Sequence, residues 1–271
     1  METSGGRLLI GTSGFSYKDW EGTLYPPGTP KEDYLGLYAA EFPVVELNFS
    51  YYVQPAARTL ERMVRGTAEG FLFAIKAHRS LTHEPGEDLP ADIRRFREGI
   101  APLAEAGRLA AVLLQFPHSF HYTPASRRRL AVLCEGFAGL PTAVEFRSSE
   151  WQRESVYEGL ARWNAAFVNV DAPSLERLPG PSEQATSELG YARFHGRNRA
   201  AWWQGDNATR YDYLYSAAEL EEWVPRLERL LARVKIVLAI FNNHPGGQAV
   251  RNARELAARL ASPGGAGLPD G

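Results

Sequence analysis

The chain holds one cysteine, Cys134, in 271 residues, which excludes an intrachain disulfide and a cysteine-rich zinc site. No window approaches eighteen consecutive apolar residues, so no segment is expected to span a bilayer. The N-terminus lacks the charged, apolar and small-residue series of a secretory signal, and the expected location is cytoplasmic. Excess charge of one sign is absent too: 30 Lys and Arg stand against 32 Asp and Glu, a net −2. That is not the basic balance of a dedicated nucleic-acid-binding domain, so any such contact must be a local patch. No Gly-x-Gly-x-x-Gly turn follows an apolar run, which removes the dinucleotide-binding form of an open α/β sheet.

What is present reads as a globular core. Apolar residues are 44% and charged residues 23% of the chain, near the globular average, and this length buries roughly three quarters of the unfolded surface in one domain. Eight short runs rich in Val, Ile, Leu and Phe lie at 8–14, 44–52, 71–78, 109–117, 142–148, 165–171, 188–196 and 234–244. Each has the form of a strand, and the continuous run 109–114 suits a parallel strand covered on both faces. Between them, apolar residues at i, i+3 and i+4 predict helices at 30–42, 55–65, 90–106, 124–138, 150–163, 216–232 and 247–261. Thr29 to Glu32 and Ser216 to Glu219 have capping-box spacing, and Thr123-Pro124 is a start signal. Strands alternating with helices at about thirty-residue spacing, eight times over, predict a (β/α)8 TIM barrel, with an open doubly wound sheet as the alternative.

Two irregularities break the rhythm. Ala172-Pro173 and Leu178-Pro179-Gly180-Pro181 are too broken for a helix, so strand six is followed by an irregular link. Strand seven is followed by a long loop, 197–215, carrying Trp202, Trp203, Tyr211, Tyr213 and Tyr215, which suggests a lid or binding loop. The expected organisation is a short flexible N-terminus at 1–7, a barrel domain at 8–261 and a disordered Gly/Pro-rich tail at 262–271.

Barrels of this kind carry their chemistry at the C-terminal strand ends, where this sequence turns polar. Glu46 and Asn48, Lys76 and His78, Glu145 and Arg147, Asn169 and Asp171, and Arg193 and His195 are pairs spaced by two, hence on one face of their strands. If that face is the interior, a site forms from Glu46, Asn48, Lys76, His78, Gln115, Glu145, Arg147, Asp171 and His195. Asn242 and Asn243 end strand eight. The alternative is a solvated mouth tied together by ion pairs.

The segments Gly11-Thr12-Ser13-Gly14 through Trp20, Glu46-Leu47-Asn48, Lys76-Ala77-His78 through His83, Gln115-Phe116-Pro117, Glu145-Phe146-Arg147, Arg193 through Arg197, and Phe241 through His244 together resemble the YecE-like domain-of-unknown-function family. The resemblance covers nearly the whole chain and implies a TIM-type barrel, distantly similar to metal-dependent apurinic endonuclease and sugar isomerase barrels, with no agreed activity. Val53 stands where the family often has arginine, and His78 where it often has proline.

The leading expectation is an enzyme acting on a sugar-like or phosphorylated small molecule. Glu145, kept ionised by Arg147, would be base or nucleophile and Glu46 the acid. Trp20, Tyr51 and other aromatics would stack the ligand. The alternatives are a divalent-metal phosphodiesterase using Glu46, Glu145, Asp171 and His195, although no His-x-His or His-Glu-x-x-His spacing supports it, and a Schiff-base lysine at Lys76, disfavoured because nearby carboxylates would raise its pKa. A non-catalytic single-strand binder, interleaving Arg193, Arg197, Arg199 and Arg210 with Trp202 and Trp203, is the reading from another class. An anion site is further expected from Arg197 and the amides of Gly196, Gly246 and Gly247.

Overall fold

The computed structural model describes residues 2, 3 and 6–261, so the expected tail at 262–271 lies outside the described residues. Eight parallel strands close on themselves: β1 (Gly6–Ser13), β2 (Val44–Leu47), β3 (Leu72–Lys76), β4 (Leu109–Gln115), β5 (Thr142–Glu145), β6 (Ala165–Asp171), β7 (Leu189–Phe194) and β8 (Ile236–Phe241). They follow in sequence order, and β8 returns to β1 with Leu8 opposite Val237 and Gly11 opposite Ile240. The chain is a (β/α)8 TIM barrel. Glu2–Thr3 adds a two-residue antiparallel pairing to Arg7 and Gly6.

The parity of each strand sorts its side chains into two cores. Leu9, Val44, Ala74, Ala111, Leu113, Ala143, Val168, Val170, Tyr191, Leu238 and Ile240 fill the inside of the barrel. Leu8, Ile10, Val45, Phe73, Val112, Val144, Phe167, Phe194 and Phe241 point outward into a larger core under the helices. The inside is packed with small residues on β3 to β5 and with Tyr191 opposite, so it is filled and not a pore. No helix among the described residues is long and apolar enough to cross a membrane.

The helices follow the sequence expectation, with local differences at several of their ends and breaks. The first begins as a 3-10 turn, Lys31–Asp33, before Tyr34–Glu41. Thr29 gives its hydroxyl to the Pro26 carbonyl and caps nothing, so that capping box is not formed. The expected 216–232 helix is two, Ala217–Glu221 and Val224–Leu231, because Pro225 has no N–H to give to Glu221 and its ring crowds that carbonyl. The Ser216–Glu219 capping box is complete. The link 172–188 carries no helix, and Asn164 and Thr186 brace it against the strand ends. The loop after β7 is long as read, with one short helix at Asn207–Arg210.

Closure makes β1 intolerant at Gly11, where an added Cβ would lie 2.1 Å from the Val44 carbonyl oxygen. Gly11→Ala is expected to lower stability by about 3 kcal/mol or more, the upper range for forced overpacking. Gly36→Ala, within a helix and with nothing within 4 Å, is expected to raise it by up to ~1 kcal/mol. Urea midpoints of the two variants check this, and equal midpoints would contradict the close approach.

Candidate active site

All eight strand ends contribute to one cavity of about 520 Å³ at the C-terminal mouth. Tyr17 comes from the loop after β1, Asn48 from that after β2, Lys76 from β3, Gln115 from β4 and Arg147 from beyond β5. Leu178 comes from the link after β6, Arg193 from β7, and Asn242 and His244 from beyond β8. The long loop after β7 closes one side with Trp202, Trp203, Arg210 and Tyr211. Tyr51, Tyr52, His83 and His118 complete the aromatic and imidazole lining. Among the described residues no carboxylate lines this cavity.

The carboxylates lie beneath it. Glu46 and Glu145 are fully buried, and Arg193 spans them, giving Nη2 to Glu46 Oε1 and Nη1 to Glu145 Oε2, both at 2.5 Å. Glu46 also accepts from Ser13 Oγ and from the Tyr191 hydroxyl, each at 2.6 Å, and Asn48 gives its amide to Ser13 Oγ. Glu145 accepts from Arg147 Nε at 2.5 Å and pairs with His195 Nε2 at 3.2 Å. Asn242 Nδ2 gives a hydrogen bond to His195 Nδ1, which leaves the ring proton on Nε2 facing Glu145. The result is a continuous row along the floor of the cavity, Tyr191, Glu46, Arg193, Glu145, then Arg147 and His195, in which the two arginines reach the cavity and the two glutamates do not.

Burial sets the protonation of these groups and the guanidinium ions correct it. Burial alone would raise Glu145, yet Arg147, Arg193 and His195 outweigh it and hold the carboxyl well below its ordinary range. Burial and the Arg147 charge push His195 down to about 3, so the ring is neutral. Lys76 is lowered to about 7, first by burial and then by Arg193, with Glu145 opposing. Its ammonium lies 4.4 Å from the centre of the Tyr51 ring and makes no salt bridge among the described residues. Tyr211 is lowered despite burial, because Arg147 and Arg193 favour the phenolate.

The sequence matches the family described as "Protein of unknown function DUF72" over residues 9–269. The chain belongs to the DUF72 family. It is 32% identical over 266 residues to the UPF0759 protein YunF of Bacillus subtilis strain 168, covering 92% of this chain and 93% of that one. A DUF72 family protein from Thermotoga maritima, TM1631, superposes with a TM-score of 0.88 at 39% identity, covering 94% of this chain and all of the other. A second, EF0366 from Enterococcus faecalis, gives 0.83 at 27% identity over 94% and 96%.

This DUF72 barrel gathers some of the expected residues and not others. Glu46, Asn48, Lys76, Gln115, Glu145, Arg147, His195 and Asn242 converge inside the mouth, and Tyr51 walls it. Asp171 does not. On β6 the inward residues are Val168 and Val170, so Asp171 faces the helix layer, where Arg197, Tyr215 and Trp223 all give it hydrogen bonds. Asn243 likewise points outward, to the Tyr213 carbonyl and Asn252. Trp20 is fully buried and gives its indole N–H to the His244 carbonyl, and His78 caps the short helix Arg79–Thr82 through Ser80 N–H.

The expected anion site is not formed. Arg197 is taken up by Asp171 and Glu222, and the Gly196 amide by the Tyr215 hydroxyl. The Gly246 amide binds Asp19 and the Gly247 amide the His244 carbonyl. The metal set fails for a related reason: Asp171 lies on the other face, Arg193 separates the two glutamates, and no cluster of three or more His, Cys, Asp or Glu suited to a metal exists among the described residues. Tyr191 and Ser13 were not among the expected site residues, although Tyr191 lies two positions before Arg193 and Ser13 stands in the segment Gly11-Thr12-Ser13-Gly14. His83, His118 and His244 lay in loops, where no period marks them.

Arg193→Met leaves two carboxylates buried without their shared cation and is expected to cost about 3–5 kcal/mol. Adding Glu46→Gln and Glu145→Gln in the same chain is expected to recover much of that loss. Denaturant unfolding of the single and triple variants checks this, and a triple variant no more stable than the single would sink the account.

The linkage of His195 sets a pH dependence. Its unfolded value near 6.5 exceeds its folded value of about 3, so the unfolded chain binds the extra proton and stability falls as pH drops through that window. His83, held at about 4 by burial and Lys76, acts with the same sign. Glu145 adds its share only below the unfolded glutamate value of about 4.3. His195→Gln should therefore flatten the stability profile between pH 6.5 and 4.5 by up to ~1.4 kcal/mol per pH unit. An unchanged slope would refute a buried neutral His195.

Proposed function

We propose that the cup is an enzyme active site for a small anionic molecule of sugar-phosphate size. The observation that carries this is the sorting of charge: Lys76, Arg147, Arg193 and Arg210 line the cavity, whereas Glu46 and Glu145 are sealed under it. Four cations over two carboxylates leave the site positive, by about two charges when Lys76 is protonated. Arg210 makes no ion pair among the described residues; its Nη2 gives one hydrogen bond to the Gly205 carbonyl and its buried Nε has no partner, so it has charge and donors to offer an oxyanion. Tyr17, Tyr51, Trp202 and Tyr211 supply flat faces for a sugar ring or similar polar frame.

Carboxylate acid/base chemistry has less support than the residue types suggested. Both glutamates are engaged by guanidinium ions, and neither reaches the cavity wall. Their work in this reading is to hold Arg193 and Arg147 in place. Lys76 is the better proton-transferring group: it is on the cavity wall, unpaired, and near the operating pH that general acid–base catalysis requires. The expectation that nearby glutamates would raise it is reversed because Arg193 and Arg147 cancel them and burial dominates.

A panel of sugar phosphates and their neutral parent sugars, read by thermal shift, tests the reading. Only the phosphorylated members are expected to stabilise the protein, by about 2.7 kcal/mol at a hundred times Kd. Arg210→Met should weaken binding at least tenfold. Lys76→Met should abolish conversion of the best ligand, and the parent's kcat/KM should rise with pH through about 7 as the amine loses its proton. Equal stabilisation by neutral sugars would overturn it.

A further inference from the structure

A second cavity, about 430 Å³, opens beside the cup, and its chemistry is the opposite. Phe15, Leu35, Leu47, Phe49 and Met63 form most of its surface, and Tyr17 stands in the wall it has in common with the cup. Asn48 is the other residue that lines both. The exposed residues Lys31 and Glu32 are the charged groups that also line it. Phe49 is 38% exposed, a large apolar ring left facing water next to a polar site, and contiguous exposed apolar surface of this kind marks a binding surface.

We infer that this groove holds an apolar substituent of the same ligand whose anionic group enters the cup, so that the substrate class is an amphiphilic anion such as an alkyl or aryl phosphate ester. The inference rests on the anionic reading of the cup and adds the nature of the rest of the molecule. Adjacency decides the occupant: Tyr17 and Asn48 line both spaces, so a ligand that passes over the top of this shared wall meets cations on one side and hydrocarbon on the other. Tyr17 is fixed for that position, stacked on His244 at 4.5 Å with its hydroxyl on the Ser13 carbonyl. Asn48 is fixed by Ser13. The divide between the two chemistries is therefore rigid, and the length of a ligand's apolar part sets how much of the groove it covers.

Affinities of methyl, butyl and octyl phosphate for the whole protein, measured by calorimetry, test the inference. Full burial of a methylene is worth roughly fourfold in affinity, and this open groove should give about twofold per carbon. Met63→Gln and Leu35→Gln should flatten that rise while leaving methyl phosphate affinity within twofold, a control that also reports correct folding. Methyl phosphate binding with no gain along the series would overturn the groove and leave the cup reading standing. Absence of binding by every phosphate would overturn both. A Met63-dependent dimer in solution, with no chain-length dependence, would assign the groove to a second copy of the chain and defeat the proposal.

Discussion

The site depends on Arg193 lying between Glu46 and Glu145. These three come from β7, β2 and β5 and meet inside a barrel otherwise filled with Leu, Val, Ile and Ala. Two carboxylates there without a cation would face a desolvation cost of several kcal/mol each. With Arg193 fixed to both, each charge has a partner and most remaining lone pairs have donors in Ser13, Tyr191, Arg147 and His195. The arrangement ties three strands across the barrel. It also decides which charges face the cavity, because the acids are consumed below while Lys76 and Arg210 are left without acidic partners above.

The same pairing explains a chain of dependent properties. Arg147 is oriented by Glu145 and in turn lies 5.8 Å from the centre of the Trp202 ring, so the long loop after β7 is referred back to the barrel floor. Tyr211, on that loop, feels Arg147 strongly enough to favour its phenolate against burial. On the outer face Asp171 does the corresponding job: it holds Arg197, Tyr215 and Trp223 and so fixes both ends of the loop. One acid network sits under the cavity and the other behind it, and the loop that covers the mouth is clamped between them.

Much of this was legible in the sequence, and where it was not the reason is physical. Glu46 with Asn48, Glu145 with Arg147, and Arg193 with His195 were readable because a polar pair at period two marks one face of a strand. The same rule misassigned Asp171 because it gives a period and not a phase. Loop contributions such as Arg210, Tyr211 and His244 carry no period at all. The balance of charge also required coordinates, since whether glutamates raise Lys76 depends on which arginines stand nearer. The eightfold βα rhythm survived every local error, because it rests on many apolar positions together.

On the proposed anionic reading, a wall of cations over a neutralised floor would act as a filter before it acts as a site. Its field extends into solution for about a Debye length, 8 to 10 Å at ordinary ionic strength. Within that range an approaching anion is drawn toward the mouth, while a polyamine or a divalent ion is turned away. On that reading selection begins outside the protein, at the encounter, and the sealed acids keep opposing charge off the wall that the described residues form.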